Sequence, residues 1–326
     1  NKRHQQVHYG EIIAAARAGT PGAQQALATL AADMQMPAIV RATALDLLRT
    51  DATTGIDIRI TATRDQDPEI RAAAADSLES VEAGQRISAL TPLLRDRYRT
   101  VRTAAARSLS SLPADRMNID QRRLFDAALT EYLSTQNVSL DMPGALLNLA
   151  VVYQNTGQLA LAEQHYLNAL RIDPDFTPAR ANLAGLYNAN ARNAEAIRIL
   201  DDGLQRMPDI GELQYSLALI LAEENRLPEA ASALAKAAKL LPESTRVHYN
   251  LGLALQQLGR RKPAEAALLK AQSLDPLDPE VVHALVIFYA QGQQQKQAQQ
   301  WAEKLQVLAA NNPHAGQLLE SLRNGH

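Results

Sequence analysis

Five arginines crowd one short stretch of the chain: Arg95, Arg97, Arg99, Arg102 and Arg107. Guanidinium groups at this spacing offer forked N–H donors to a phosphate, a carboxylate-rich partner or haem propionates. Arg95, Arg97 and Arg99 are therefore candidate anion contacts. The competing reading is structural, with Asp96 serving as the partner of Arg102. His4 and His8 stand four apart, which on a helix puts two imidazoles on one face and suits a metal. No third ligand lies near them, so no metal site is expected. Cysteine is absent, which excludes disulfides, thiol catalysis, thiolate metal sites and covalent haem attachment within the chain. There is no Gly-rich phosphate loop, no dinucleotide fingerprint, no His-Glu-x-x-His and no nucleophile elbow. Carboxylate pairs such as Asp201-Asp202 fall on expected helix surfaces. No catalytic residue is nominated, and the chain is expected not to be an enzyme.

The elements that position these side chains follow from a repeat. Alanine recurs every 34 residues at Ala128, Ala162, Ala196, Ala230, Ala264 and Ala298. Leucine does so at Leu149, Leu183, Leu217, Leu251 and Leu285, and proline at Pro174, Pro208, Pro242 and Pro276. A fixed period of this length marks one supersecondary unit stacked on copies of itself. Small residues at the eighth position (Ala150, Ala184, Ala218, Gly252) and alanine at the twentieth let two helices approach closely. Larger side chains at the seventh, eleventh and twenty-fourth positions fill the space around that contact. The prolines end the second helix because proline cannot extend the hydrogen-bond ladder.

The units 143–176, 177–210, 211–244, 245–278 and 279–312 resemble the tetratricopeptide repeat, carried by strings such as Leu146-x-x-Leu149-Ala150-x-x-Tyr153, Ala162-x-x-x-Tyr166 and Pro174. That resemblance implies an all-α superhelix whose first helices line a concave groove. It places Asn148, Asn182 and Asn250 at one groove position, Tyr215, Tyr249 and His283 at the position before it, and Asn188 and Gln256 further along, with Glu223 beside them. Amides of this kind can match the N–H and C=O groups of an extended peptide. At about 1 kcal/mol each they do not offset an association cost of roughly 4–15 kcal/mol, so Tyr215 and Tyr249 are the expected anchors. The groove lacks the basic residues with which related domains clamp chaperone C-termini, since Leu147 and Val151 stand there. The fifth unit departs from the pattern at Val286, Leu305 and Ala310, as terminal repeats often do. Residues 313–326 are expected to supply a capping helix, with Leu318, Leu319 and Leu322 facing inward. Residues 116–142 read as a connecting half-repeat helix.

The first 115 residues carry another spacing. Arg41, Arg71 and Arg102 each open an alanine-rich stretch, and Asp65 and Asp96 lie six residues before the second and third. Pro37 and Pro68 open two helices. This region resembles HEAT repeats, which implies paired helices with an aspartate–arginine ladder between neighbours. The β-branched stretch Thr53 to Thr63 is weakly helical by propensity and leaves the helix between Arg49 and Pro68 open. Residues 9–33 supply two more helices, split near Gly19-Thr20-Pro21. The whole reads as an all-α fold: a HEAT-like α-solenoid followed by a tetratricopeptide superhelix.

Composition agrees. Apolar residues make up 46% and aromatics only 4%, which suits closely packed helices. The net charge of −2 gives no field that would gather nucleic acid, and no apolar run is long enough to span a membrane. His165 is expected at the surface, Gln291 to Gln300 as a solvated helix face, and Asn137-Val138-Ser139 fits a glycosylation acceptor. The chain begins at Asn1 with no signal peptide, so it is expected to be processed or part of something longer. The order of parts, with His8-Tyr9-Gly10-Glu11 before the helical arrays, resembles the C-terminal portion of bacterial periplasmic multihaem c-type cytochromes. This implies a periplasmic or extracytoplasmic setting, a cytoplasmic one being the alternative. It places haem only in a segment upstream and no cofactor in this chain. The expected function is a non-catalytic scaffold that holds a protein or peptide in the groove; the alternative is an accessory module docking a c-type cytochrome.

Overall fold

The computed structural model describes residues 8–20, 22–49, 51, 53–310 and 312–323. Among the described residues there are nineteen α-helices and no strand, so the fold is all-α, in a repeat arrangement. His4 lies outside them. The chain divides into two compact units, one ending at Ile172 and one starting at Asp173.

The first unit begins with α1 (Tyr9–Arg17), α2 (Ala23–Ala32), α3 (Ala38–Leu47), α4 (Ile56–Ala62), α5 (Pro68–Ser77), α6 (Ala83–Leu90), α7 (Arg99–Leu109) and α8 (Ile119–Gln136). Helices α3, α5, α7 and α8 pack in succession, each on the next. Between them runs a ladder of ion pairs. Arg41 reaches Asp65 at 2.8 Å, Arg71 reaches Asp96 at 2.7 Å, and Arg102 reaches Glu131 at 2.7 Å. Each arginine also donates backward to backbone carbonyls: Arg71 to Asp65 O at 2.8 Å and Arg102 to Asp96 O at 2.7 Å. Asp96 therefore serves Arg102 only through its carbonyl, and its carboxylate belongs to Arg71. Six residues of sequence bring the guanidinium to the start of its own helix, while the carboxylates come from the following helical pair.

Helix α4 forms despite its β-branched residues, because burial outweighs propensity. Its Arg59 is fully enclosed and donates to the carbonyls of Asp51 and Ser77. On α6, Arg86 is likewise buried and reaches the carbonyls of Glu79 and Ser108. The apolar core beside these groups runs from Ala75 through Phe125 and Tyr132 to Val152. Val152 lies on α9 (Pro143–Asn155), which pairs with α10 (Leu159–Ile172) to close this unit. His165, on α10, is half-buried rather than at the surface. It stacks on Tyr153 at 5.3 Å, and burial pushes its imidazole below the ordinary value.

The second unit holds four helical hairpins and a last helix. They are α11 (Thr177–Ala189) with α12 (Asn193–Arg206), α13 (Gly211–Glu223) with α14 (Leu227–Leu240), α15 (Thr245–Gln257) with α16 (Arg261–Leu274), and α17 (Pro279–Gln291) with α18 (Gln295–Ala309), then α19 (Pro313–Arg323). With α9 and α10 they make five hairpins whose first helices begin at 143, 177, 211, 245 and 279.

Small-residue contacts set the hairpin geometry. Ala162, Ala196, Ala218, Ala230 and Ala264 have no exposed surface. At Gly252 an added Cβ would stand 2.6 Å from Leu268 Cγ, so this crossing has no room even for a methyl group. Every hairpin turns through one left-handed residue: Gly157, Ala191, Asn225, Gly259 and Gln293, at φ of 78°, 56°, 57°, 71° and 58°. The next N–H closes back on the first helix at 2.8–2.9 Å, as Arg192 does on Tyr187 O, which is the six-to-one bond of a Schellman turn. In the last hairpin, Val286 replaces the small residue and Ala298 is only half-buried. Helix α19 covers this end, packing Leu318, Leu319 and Leu322 near Val282, Leu305 and Ala315. Among the described residues no helix is long and apolar enough to cross a membrane.

Candidate partner-binding face

In the second unit, α11 packs on α13 and α15 on α17, and a side-chain bond links α13 to α15. The first helices of the hairpins thus stand side by side and present one continuous face. Its surface is set by the 34-residue repeat, since each turn of the stack returns the same helical position to the same face.

Tyr215 and Tyr249 are half-buried and lean on the core formed by α13 to α18. Neither is sealed inside. The Asn250 amide donates to the Tyr215 hydroxyl at 2.7 Å, tying consecutive hairpins together. Burial raises the Tyr249 phenol above its ordinary value, and the charges of Glu280 and Asp278 add to this. Gln256 donates to Gln291 at 2.8 Å, again one repeat onward. Asn182 and Glu223 are exposed. Asn188 is half-buried, and its Oδ1 is enclosed with no hydrogen-bond partner among the described residues. His283 is half-buried; burial lowers its imidazole against the opposing pull of Glu280.

The amides therefore divide. Asn250 spends a donor on the preceding hairpin and Gln256 one on the next, where a hydrogen bond of this kind contributes about 1 kcal/mol. Asn182 stands open. Asn148 lies in the first unit, exposed, and donates to Gln136 at 3.1 Å. Gln154 accepts from the Tyr166 hydroxyl at 2.9 Å and so serves its own hairpin.

The repeat also carries an apolar stripe that the amide and tyrosine positions do not describe. Leu219, Leu253 and Ile287 recur at 34-residue spacing with Gly185 before them. Leu219 is 37% exposed, Leu253 and Ile287 are half-buried, and a Cβ on Gly185 would meet nothing within 4 Å. The signal was present in the spacing, but leucine is so common in this chain that only exposure separates these positions from core leucines.

Among the arginines, Arg97 donates to the Tyr98 hydroxyl at 2.8 Å and lies 4.6 Å from that ring's centre. Arg99 reaches Glu131 O at 3.1 Å, and Arg95 is exposed. His8 caps α1 by accepting from Gly10 N at 3.1 Å. Among the described residues no three His, Asp or Glu side chains converge as a metal site would require.

Residues 156–220 and 221–286 match the family model of the tetratricopeptide repeat. No curated protein sequence matches the chain. Among solved structures, PilF of Pseudomonas aeruginosa is similar at 16% identity and a TM-score of 0.50, over 69% of this chain and 99% of that one. MamA is similar at 18% identity and a TM-score of 0.46, over 56% and 95%. YrrB, a tetratricopeptide protein with an unusual peptide-binding site, is similar at 19% identity and 0.47, over 56% and 94%. The matched hairpins, with their 34-residue helix starts and enclosed alanines, make residues 156–286 a run of tetratricopeptide repeats.

Proposed function

We propose that the chain is a non-catalytic interaction scaffold, and that the face built by α11, α13, α15 and α17 holds an extended peptide or a helix of a partner protein. The carrying observation is the stripe of exposed Leu219 and half-buried Leu253 and Ile287, its first two members on the helices that carry the half-buried Tyr215 and Tyr249. Apolar burial supplies affinity at about 25 cal/mol per Å². The amides and Glu223 supply orientation, since each unmatched polar group costs more than a matched one returns. Gly185 leaves room at the α11 end for a bulkier partner side chain.

The interhairpin bonds Asn250–Tyr215 and Gln256–Gln291 favour a preformed face over one that orders on binding. The alternative reading, docking of a c-type cytochrome, draws on the order of parts alone, and no feature of the described helices favours it.

The test selects binders from a displayed random-peptide library on the full chain. Peptides of apolar-anchored sequence are expected. Leu219→Ser and Asn182→Ala together should weaken them at least tenfold at an unchanged melting temperature. Enriched peptides indifferent to both changes would remove this face as the binding site.

A further inference from the structure

The first unit contains a cavity that the scaffold reading does not use. It measures about 520 Å³ and opens where the ends of α3, α5 and α7 meet α8 and the flank of α9. This is within the size range of small-ligand sites. Leu147, Val151 and Val152 give it apolar lining, and Arg49, Arg107 and Tyr132 line it too, with Glu79 beside Arg107.

The polar side is not self-satisfied. Tyr132 is only 6% exposed, yet its hydroxyl has no hydrogen-bond partner among the described residues. Burial of the ring pushes this phenol up to about 12, so the hydroxyl keeps its proton and can donate. Arg107 pairs with Asp76 at 2.6 Å and comes no nearer Glu79 than 3.9 Å. Arg49 has no ion-pair partner among the described residues, although its charge is felt by Asp76. Burial draws the Asp76 carboxyl above the ordinary range against the pull of Arg107 and Arg49. Arg49, without an ion pair among the described residues, and the Tyr132 hydroxyl therefore share one cavity with apolar lining, while Arg107 offsets the nearby Glu79 and Asp76.

We infer that this cavity is a ligand site for a carboxylate carried on an apolar body. Arg49 would receive the carboxylate in its planar fork, Tyr132 would donate a hydrogen bond to it, and Leu147 and Val151 would cover the apolar part. A cation would face two guanidiniums, and a neutral apolar guest would leave the donors unmatched. The same chemistry is offered by a free monocarboxylic acid and by the C-terminus of a peptide ending in an apolar residue.

Calorimetry on the full chain with three probes separates the sources: hexanoate, an acetylated tripeptide ending in leucine with a free carboxylate, and the same tripeptide as its amide. Binding of hexanoate alone identifies a free acid. Binding of the free tripeptide but not its amide, with or without hexanoate, identifies a chain terminus. In either case Arg49→Gln should weaken binding at least tenfold. Tyr132→Phe, which removes only the oxygen, should weaken it about threefold, with both variants melting as the parent does. If no carboxylate probe binds, if the amide binds as well as the acid, or if Arg49→Gln leaves affinity unchanged, the site is not what we infer.

Discussion

Helices α3, α5, α7 and α8 of the first unit and the hairpins α11 to α18 of the second are held by different sets of contacts. In the first region guanidinium groups link successive helices beside an apolar core that has enclosed alanines of its own. Arg41, Arg71 and Arg102 each bridge a backbone carbonyl behind and a carboxylate ahead. In the second, enclosed alanines and Gly252 let helices touch, and the buried Arg180 donates to the Pro174 and Ile199 carbonyls and to Asp202. Hydrogen-bonded charge specifies register by direction and distance, so it tolerates irregular spacing; its three arginines are 30 and 31 residues apart. Close packing specifies register by volume, and that demands a constant period.

The sharpest way to break the comparison is to remove one rung. Arg71→Ala strands the carboxylate of Asp96, whose titration is held below the ordinary range against burial by bonds from Arg71 and Tyr98 N–H. The expected loss is about 3 kcal/mol, since removing one partner of a buried pair leaves an uncompensated charge. Urea unfolding followed by circular dichroism reads it. The loss should shrink as pH falls far enough to protonate Asp96, because a depressed carboxyl stabilises only while ionised.

Next in size is a volume test in the other region. Ala218→Leu should cost roughly 1–3 kcal/mol by overpacking. Gly252→Ala should also destabilise, and in a Leu268→Ala background it should become close to neutral. Additive losses in that double-mutant cycle would show that the tight crossing at Gly252 is not what limits the site.

A smaller effect, of opposite sign, is expected at the turns. Ala191 holds a left-handed conformation at φ 56° where two sister hairpins carry glycine. Ala191→Gly should stabilise by about 0.5–1 kcal/mol, seen as a raised melting temperature. The same change at a right-handed helical alanine should do the reverse.

The smallest effect concerns α19. His314 Nε2 lies 2.6 Å from Glu280, and that bond holds its imidazole above the ordinary value, with Asp278 adding to the pull. A raised imidazole contributes fully below its unfolded value and loses that contribution as pH rises through its folded one. Amide exchange of α19 should therefore quicken, relative to α15, from about pH 6.5 upward. His314→Gln should flatten the dependence. His283, which also faces Glu280, is pushed the other way by burial and by His314.

The packed region was more legible than the ladder. Its period announces each helix start, because alanine and proline appear wherever packing or chain reversal requires them. The ladder was readable only in part. Arg71 and Asp96 are 25 residues apart, and no local pattern says that this pair, rather than the six-residue neighbours Asp96 and Arg102, would share a salt bridge. Helix α4 was hidden because its residues favour strands, and it is secured by Arg59, whose partners lie in other segments. On the candidate face, tyrosine and amide positions followed from the repeat. That Asn250 and Gln256 would spend donors on neighbouring hairpins did not, since such bonds depend on side-chain reach across a stack. The left-handed turns suit Gly157 and Gly259, whereas at Ala191 and Gln293 the six-to-one bond holds a conformation those residues do not prefer.

Those five turns constrain how the chain can grow. One residue inserted within a helix rotates everything beyond it by about 100°, which would swing an enclosed alanine into water and a tyrosine off its face. Insertions spare the stack only at the tips where the left-handed residues sit, or when they add an entire hairpin. Lengthening is thus quantised: whole modules can be duplicated or lost cleanly, whereas fractional changes scramble every later contact.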